Sequence, residues 1–520
     1  MRTTTIQFFI AFLFIITAIC YAGWEREYNI SYLDYGNCVI VTSTGEFVIA
    51  GTANIPGSTF DVLLIKTNEY GDTLWTKLYG GSRSDHGKYV IETADSGYLI
   101  VGDSKSFGGL WDLDDVYVVR TDVIGDTIWT RTFGEGGSNV DRGNAASLTS
   151  DGGYVVIGWS NFHTGGIYLI RLNDLGDSIW TRTFGASSED QGNSVSETVG
   201  GGFIITGTGV GRYLIKTNGS GDTVWTKPYG GSSVKQTFDG GYIFCGGATG
   251  SFGDIDCCLL KTDIIGDSVW ARTYGQTMNE YANSVIQLPD TGFVMVGIAN
   301  LFGDDEDVYL IRTDLAGNLL WERKYGDFNN ETGHSLAVTP DGGFIIVGTK
   351  EIISTGVKNV YLIKTDSMGY SSTYECEISR GWNLLSTPYI KPNAITDLYP
   401  VGYSPIYIWD KDSVDYVIVD TISAGTGFWI ALGTDSLLQI NGTTMASSIR
   451  DTLYPGWNLI GTIKERVHIS NLVVMLAYID MHAVFGWDPT TASYFEPDYL
   501  IPGKGYWVLV NDYGWFTIEP

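Results

Sequence analysis

Asp307-Val-Tyr-Leu-Ile-Arg-Thr-Asp-Leu-Ala-Gly-Asn-Leu-Leu-Trp321 decides the fold, because variants of this stretch recur along the 520-residue chain. Its tryptophan is preceded by Trp24, Trp75, Trp129, Trp180, Trp225 and Trp270, at intervals of 51, 54, 51, 45, 45 and 51 residues up to Trp321. Four residues after each stands an aromatic: Tyr28, Tyr79, Phe133, Phe184, Tyr229, Tyr274 and Tyr325. A second aromatic column, from Phe47 and Tyr98 to Phe344, follows Gly-containing turns such as Asp151-Gly152-Gly153, and a glycine stands four residues beyond each member. Asp-Gly between alternating runs signals a hairpin, since Gly accepts the positive φ of a tight turn. Each period therefore reads as four strands, A to D; in the sixth they fall near 282–288, 293–297, 308–313 and 319–325.

Four short strands per 45–54 residues is the spacing of propeller blades, close to the WD40 and kelch periods. The ends favour a ring over an open solenoid. Trp24-Glu-Arg-Glu-Tyr28 is a D strand without A, B or C before it, and the last period has Ser371-Ser372-Thr373 where its D strand should stand. Pairing the orphan with the vacancy removes both open sheet edges. The expected fold class is all-β: a seven-bladed propeller over 23–370, closed by its N-terminal strand beside 361–364 and followed by a linker (371–380) and a duplicated β module (381–520).

The module is read from its own repeat. Gly381-Trp-Asn-Leu384 matches Gly456-Trp-Asn-Leu459, Trp409-Asp410 matches Trp487-Asp488, and Gly425-Thr-Gly-Phe-Trp429 matches Gly503-Lys-Gly-Tyr-Trp507, giving units 381–450 and 451–520. It resembles the GWN…GxG[FY]W repeats near the ends of bacterial and archaeal surface proteins. The blades resemble quinoprotein-like propellers, whose D-x-x-T-G-x-x-x-W turn is matched, one residue shorter, by Asp122-Val-Ile-Gly-Asp-Thr-Ile-Trp129. They also resemble exported bacterial repeat proteins with Gly-Gly-Tyr and Tyr-Leu-Ile-Lys-Thr-Asp motifs, sometimes labelled endoglucanase-like. These resemblances imply a fold; they do not single out catalytic residues.

Residues 1–22 read as a secretory signal: Arg2, an apolar run over 8–16, and small residues before a cleavage point after Ala22. No later run is long and apolar enough for a transmembrane helix. A net charge of −28, from 59 acidic and 31 basic residues, argues against nucleic-acid partners. Five cysteines remain after the signal, without metal-ligand spacing. Cys38 and Cys376 are expected near the ring closure and are the candidate disulfide; Cys245 could approach Cys257 or Cys258 across neighbouring strands.

The Trp column (Trp24, Trp75, Trp129, Trp180, Trp225, Trp270, Trp321) is expected to be buried packing between blades rather than a sugar platform. The basic column Lys66, Arg120, Arg171, Lys216, Lys261, Arg312 and Lys364 is expected to pair structurally. Three B–C loops are acidic, and Asp114, Asp115, Asp254, Asp256, Asp304, Asp305 and Asp307 are the candidate Ca²⁺ ligands, set against a solvated acidic rim. No other cofactor is expected, a quinone included. The expected function is an exported, non-catalytic scaffold binding a glycan or a surface protein through blade loops. A secreted glycoside hydrolase and a structural envelope component are the alternatives.

Overall fold

The computed structural model describes residues 23–518, apart from 56–58, 109–112, 135–138, 163–165, 250–254, 276–278, 290–291, 301–305, 328, 379, 387–392, 395–404, 411–414, 420, 423–425, 433–435, 443–448, 463–466, 470–471, 476–478, 490, 498, 502–503 and 512. It is all-β and propeller-like. Between residues 24 and 365 lie seven four-stranded antiparallel sheets. Sheets 1 to 6 (34–79, 85–133, 141–184, 191–227, 233–274 and 280–325) each take four consecutive strands, A to D. Sheet 7 takes A, B and C from 330–365, and its fourth strand is Trp24–Tyr28. That strand runs antiparallel to Val357–Thr365, with Trp24 opposite Lys364 and Tyr28 opposite Val360. The A strands touch one another in succession, sheet 7 against sheet 1 included, and surround a channel.

Burial follows position in the sheet. Strands B and C are covered on both faces by neighbouring sheets, so Tyr98–Ser104 and Asp115–Thr121 are buried throughout. The outer strand Thr127–Phe133 alternates between half-buried and exposed positions. The glycine column of strand B answers a close approach: a Cβ at Gly297 would run into the Tyr281 carbonyl of strand A.

The tryptophans pack between neighbouring sheets but are less buried than expected. All seven are half-buried, not core. Each lies over the C–D turn glycine of the next sheet and meets that sheet's strand-B aromatic, as Trp225 meets Tyr242 at 5.7 Å between ring centres. The outer strand has no further sheet beyond it, so one edge of each indole stays in water. Four residues on, the Tyr28, Tyr79, Tyr274 and Tyr325 hydroxyls donate to turn-glycine carbonyls at 2.6–2.7 Å. The basic column pairs locally: Lys66 with Glu46 at 2.7 Å, Lys261 with Asp239 at 2.9 Å, Lys364 with Asp341 at 2.8 Å, Arg120 with Asp95 and Arg171 with Asp151. Lys216, whose turn is Val199-Gly-Gly-Gly202, donates instead to the Thr217 and Gly201 carbonyls.

The expected linker is a strand. Ser372–Ile378 pairs with Ser436–Gly442, as Ile449–Leu453 pairs with Gly514–Ile518 in the second copy. The units therefore begin at 372 and 449, earlier than the sequence match suggests. Their central sheets run Gly381–Ser386, Gly427–Leu432, Ile406–Asp410, Asp415–Val419 and Gly456–Ile460, Tyr506–Val510, Ile479–Asp488, Ser493–Phe495. The two join through bridges Leu385–Lys504 and Thr426–Ile460 and through Ser386 Oγ and Thr462 Oγ1, 3.0 Å apart. No helix among the described residues is long and apolar enough to cross a membrane.

Candidate functional site

Three regions gather functional side chains: the channel, the sheet junctions and the tail module. The channel begins with a bulge in strand A. Register slips between Gly36 and Cys38, Gly87 and Tyr89, Gly143 and Ala145, Gly192 and Ser194, Ala282 and Ser284, and Gly333 and Ser335. The skipped residue is freed from the ladder and re-aimed. Asn37, Asn144, Asn193 and Asn283 use it to donate to Gly87, Gly192, Gly231 and Gly333 of the next sheet at 2.7–3.0 Å. His334 Nδ1 lies 2.8 Å from the Gly36 carbonyl, carrying this belt from sheet 7 to sheet 1. Burial lowers the pKa of His334.

Carboxylates meet in pairs at the junctions, all buried except the half-buried Asp61. Asp61 faces Asp85, Asp115 faces Asp141, Asp256 faces Glu280 and Asp307 faces Glu331, each pair closing on a glycine (Gly80, Gly134, Gly275, Gly326) whose Cβ would strike both. Asp85, Asp141, Glu280, Asp307 and Glu331 are at most 1% exposed. Burial first, then Asp85, raises Asp61. Burial first, then Asp327, pushes Glu331 up to about 9, against the pull of Lys350. Lys350 holds Asp327 at 2.7 Å and stands 3.4 Å from Glu331.

These pairs relocate the calcium candidates. Asp115, Asp256 and Asp307 are buried junction members, not a solvated rim. Asp114 is neutralised by Arg142, whose Nη2 and Nε lie 2.6 and 2.9 Å from its Oδ2. Asp254, Asp304 and Asp305 lie outside the described residues. Among the described residues no three His, Cys, Asp or Glu side chains group as metal ligands would. The strand-A acids (Asp85, Asp141, Glu280, Glu331) recur at one place in the repeat, a column the sequence reading passed over.

The cysteine expectations fail. Cys38 is a buried free thiol on strand A, facing the channel beside the Val90 carbonyl and Ser335. Cys376 lies on Ser372–Ile378 in the tail module, opposite Leu438. The bridge required both beside the N-terminal strand, but Cys38 sits on the innermost strand of sheet 1, whereas Trp24–Tyr28 is the outer strand of sheet 7. Cys245, Cys257 and Cys258 are also free; register places Cys245 opposite Leu259, out of step with both.

The tail module carries two aromatic clefts. One, of about 430 Å³, is lined by Trp409 and Tyr416 from the first unit and Trp457, Phe485, Tyr494 and Trp507 from the second. The other, of about 480 Å³, exchanges the roles: Trp382, Tyr407, Tyr416 and Trp429 face Trp487 and Tyr494. Edge-to-face contacts fix the rings, Trp409 to Trp507 at 5.6 Å and Trp429 to Trp487 at 5.2 Å. Trp487 Nε1 donates to the Trp382 carbonyl at 2.8 Å. Trp382 and Trp457, the tryptophans of the two Gly-Trp-Asn-Leu motifs, are 48% and 45% exposed. The repeat was legible in sequence; that its rings converge on shared clefts was not, because each cleft draws on both copies.

No family model matches this chain, and no curated protein does. Among solved structures it is similar to the WD40 domain of Pan2 from Neurospora crassa, at 11% identity over 65% of this chain and 97% of that one, with a TM-score of 0.42. It is similar to BamB from Moraxella catarrhalis at 12% identity, over 65% and 98% of the two chains, with a TM-score of 0.34. A quinohemoprotein alcohol dehydrogenase, ADHIIG from Pseudomonas putida HK5, is similar at 9% identity over 67% and 68%, with a TM-score of 0.38.

Proposed function

We propose that this chain is an exported, non-catalytic binding scaffold: a closed seven-bladed propeller carrying a tail module whose paired clefts hold a glycan. The observation that carries the reading is the pair of uncharged, aromatic-lined clefts, with two tryptophans left half in water. Pyranose rings present flat C–H faces that stack on such indoles. Two neighbouring clefts on one module let a polymer engage both, which raises avidity without new contacts. The ligand surface thus moves from the blade loops to the tail.

Against hydrolysis stands the burial of the paired carboxylates. A glycosidase needs two of them flanking an open sugar cleft, and three of these four pairs are buried between sheets. The test is a panel of soluble β-glucan, xylan, mannan and chitin oligomers, measured for binding and for release of reducing ends. Retention by at least one glycan, lost in Trp382→Ala/Trp457→Ala without new reducing ends, is expected. Binding undiminished in that variant, or retention by no glycan, overturns the cleft; reducing ends produced by pure protein overturn the non-catalytic reading.

A further inference from the structure

A chain with 59 acidic and 31 basic residues lines its channel, among the described residues, without one carboxylate. Three basic side chains do line it: Lys88, Lys235 and His334. Lys88 is neutralised by Asp103, 2.5 Å away, and burial disfavours the charged form of His334. Lys235, on strand A of sheet 5, has no hydrogen bond or ion pair among the described residues. It shares the channel wall with Cys38 of sheet 1 and Tyr89 of sheet 2. Its charge pulls the Tyr89 phenol down, although burial and Cys38 leave it raised, and at Cys38 it partly offsets the burial that pushes the thiol up. One uncompensated positive charge therefore stands on the wall of a cavity of about 430 Å³ that Tyr89 also lines.

We propose that the channel is a binding site for a small hydroxylated monocarboxylate, its carboxylate paired with Lys235 and hydrogen-bonded by the Tyr89 hydroxyl. A single cation matches a single negative charge; a dianion would bring an unbalanced charge into the field of a strongly acidic protein. One member of the Asn belt, Asn193, favours a hydroxyl group as its partner. Both amide hydrogens of Asn193 are committed, to Thr208 Oγ1 at 2.9 Å and to the Gly231 carbonyl at 3.0 Å, leaving only its carbonyl oxygen to face a ligand. That oxygen accepts from a ligand hydroxyl and repels a bare carboxylate, which orients the ligand with its acid end toward Lys235. The cavity volume falls within the roughly 300–1,000 Å³ of small-molecule sites.

The site is tested on the full mature chain by isothermal titration at low ionic strength with sodium D-gluconate, D-glucose and inorganic phosphate. One gluconate per chain is expected, with phosphate at least about tenfold weaker and glucose silent. Lys235→Met should weaken gluconate by about tenfold or more, and Tyr89→Phe several-fold, with circular dichroism unchanged. Trp382→Ala/Trp457→Ala should leave gluconate binding as it is, which separates this site from the glycan clefts. The inference is overturned by absence of saturable gluconate binding, by equal binding of glucose or phosphate, or by a folded Lys235→Met that binds like the wild type. Should Lys235→Met not fold, Tyr89→Phe decides, and undiminished binding there overturns it.

Discussion

At Trp225 the logic of the repeat is visible in one side chain. Its indole covers Gly266 of the next sheet, which turns with φ +81°, and meets Tyr242 at 5.7 Å. Truncation opens a junction half in water, so Trp225→Ala should cost about 2–4 kcal/mol, at or below the usual aromatic-to-Ala range, by chemical denaturation. The column was legible because it recurs seven times; its half-exposure was not, since periodicity reports that a residue is needed and not how much solvent it sees. Glu331 carries the clearest pH signature. Folded, it keeps its proton up to about 9, whereas the unfolded chain releases it near 4.5. Folding therefore takes up a proton between those values, and stability falls as pH rises through that window. Glu331→Gln should flatten the decline of melting temperature between pH 6 and 9. An equally steep decline in the variant would mean that another group sets it.

At the scale of the element, the N-terminal strand and the bulges link sheet 7 to sheet 1. Tyr28 donates to the Gly71 carbonyl at 2.6 Å in a buried setting, so Tyr28→Phe should cost about 1–2 kcal/mol for the acceptor left behind. Removing 24–28 altogether would bare Val357–Thr365 as an open edge, and light scattering should then find dimers or larger species. The orphan D strand could be read from sequence because the count of strands did not balance. The strand at Ser372–Ile378 could not, since its partner lies some sixty residues on, in a stretch that breaks the period. His334 ties the same seam from inside. Burial holds its pKa below that of the unfolded chain, so unfolding takes up a proton in acid and stability should drop as pH falls below about 6.5. His334→Gln should lessen that acid sensitivity in a melting series from pH 7.5 to 5.

On the scale of the whole molecule, seven repeated sheets make a scaffold and the departures from repetition mark the chemistry. Lys235 and Tyr89 break the small or apolar columns that line the channel, and Trp382 and Trp457 stand nearly half in water beside the aromatic clefts of the tail. The acidic loops drew attention in sequence because charge is conspicuous there; folding buries three of those carboxylates at junctions, beside acids from a neighbouring sheet. Spatial pairing across sheets is what a linear reading could not supply. The tail clefts follow the same pattern, each completed by the other copy. Their duplication yields the most direct measurement of the central claim: titration of a short oligosaccharide, drawn from whichever glycan the panel identifies, into the full-length protein. Two sites per chain are expected, falling to one when Trp457 alone is replaced by Ala and to none when Trp382 is replaced as well. A stoichiometry unchanged by both substitutions would place glycan binding elsewhere and contradict the role given to the clefts.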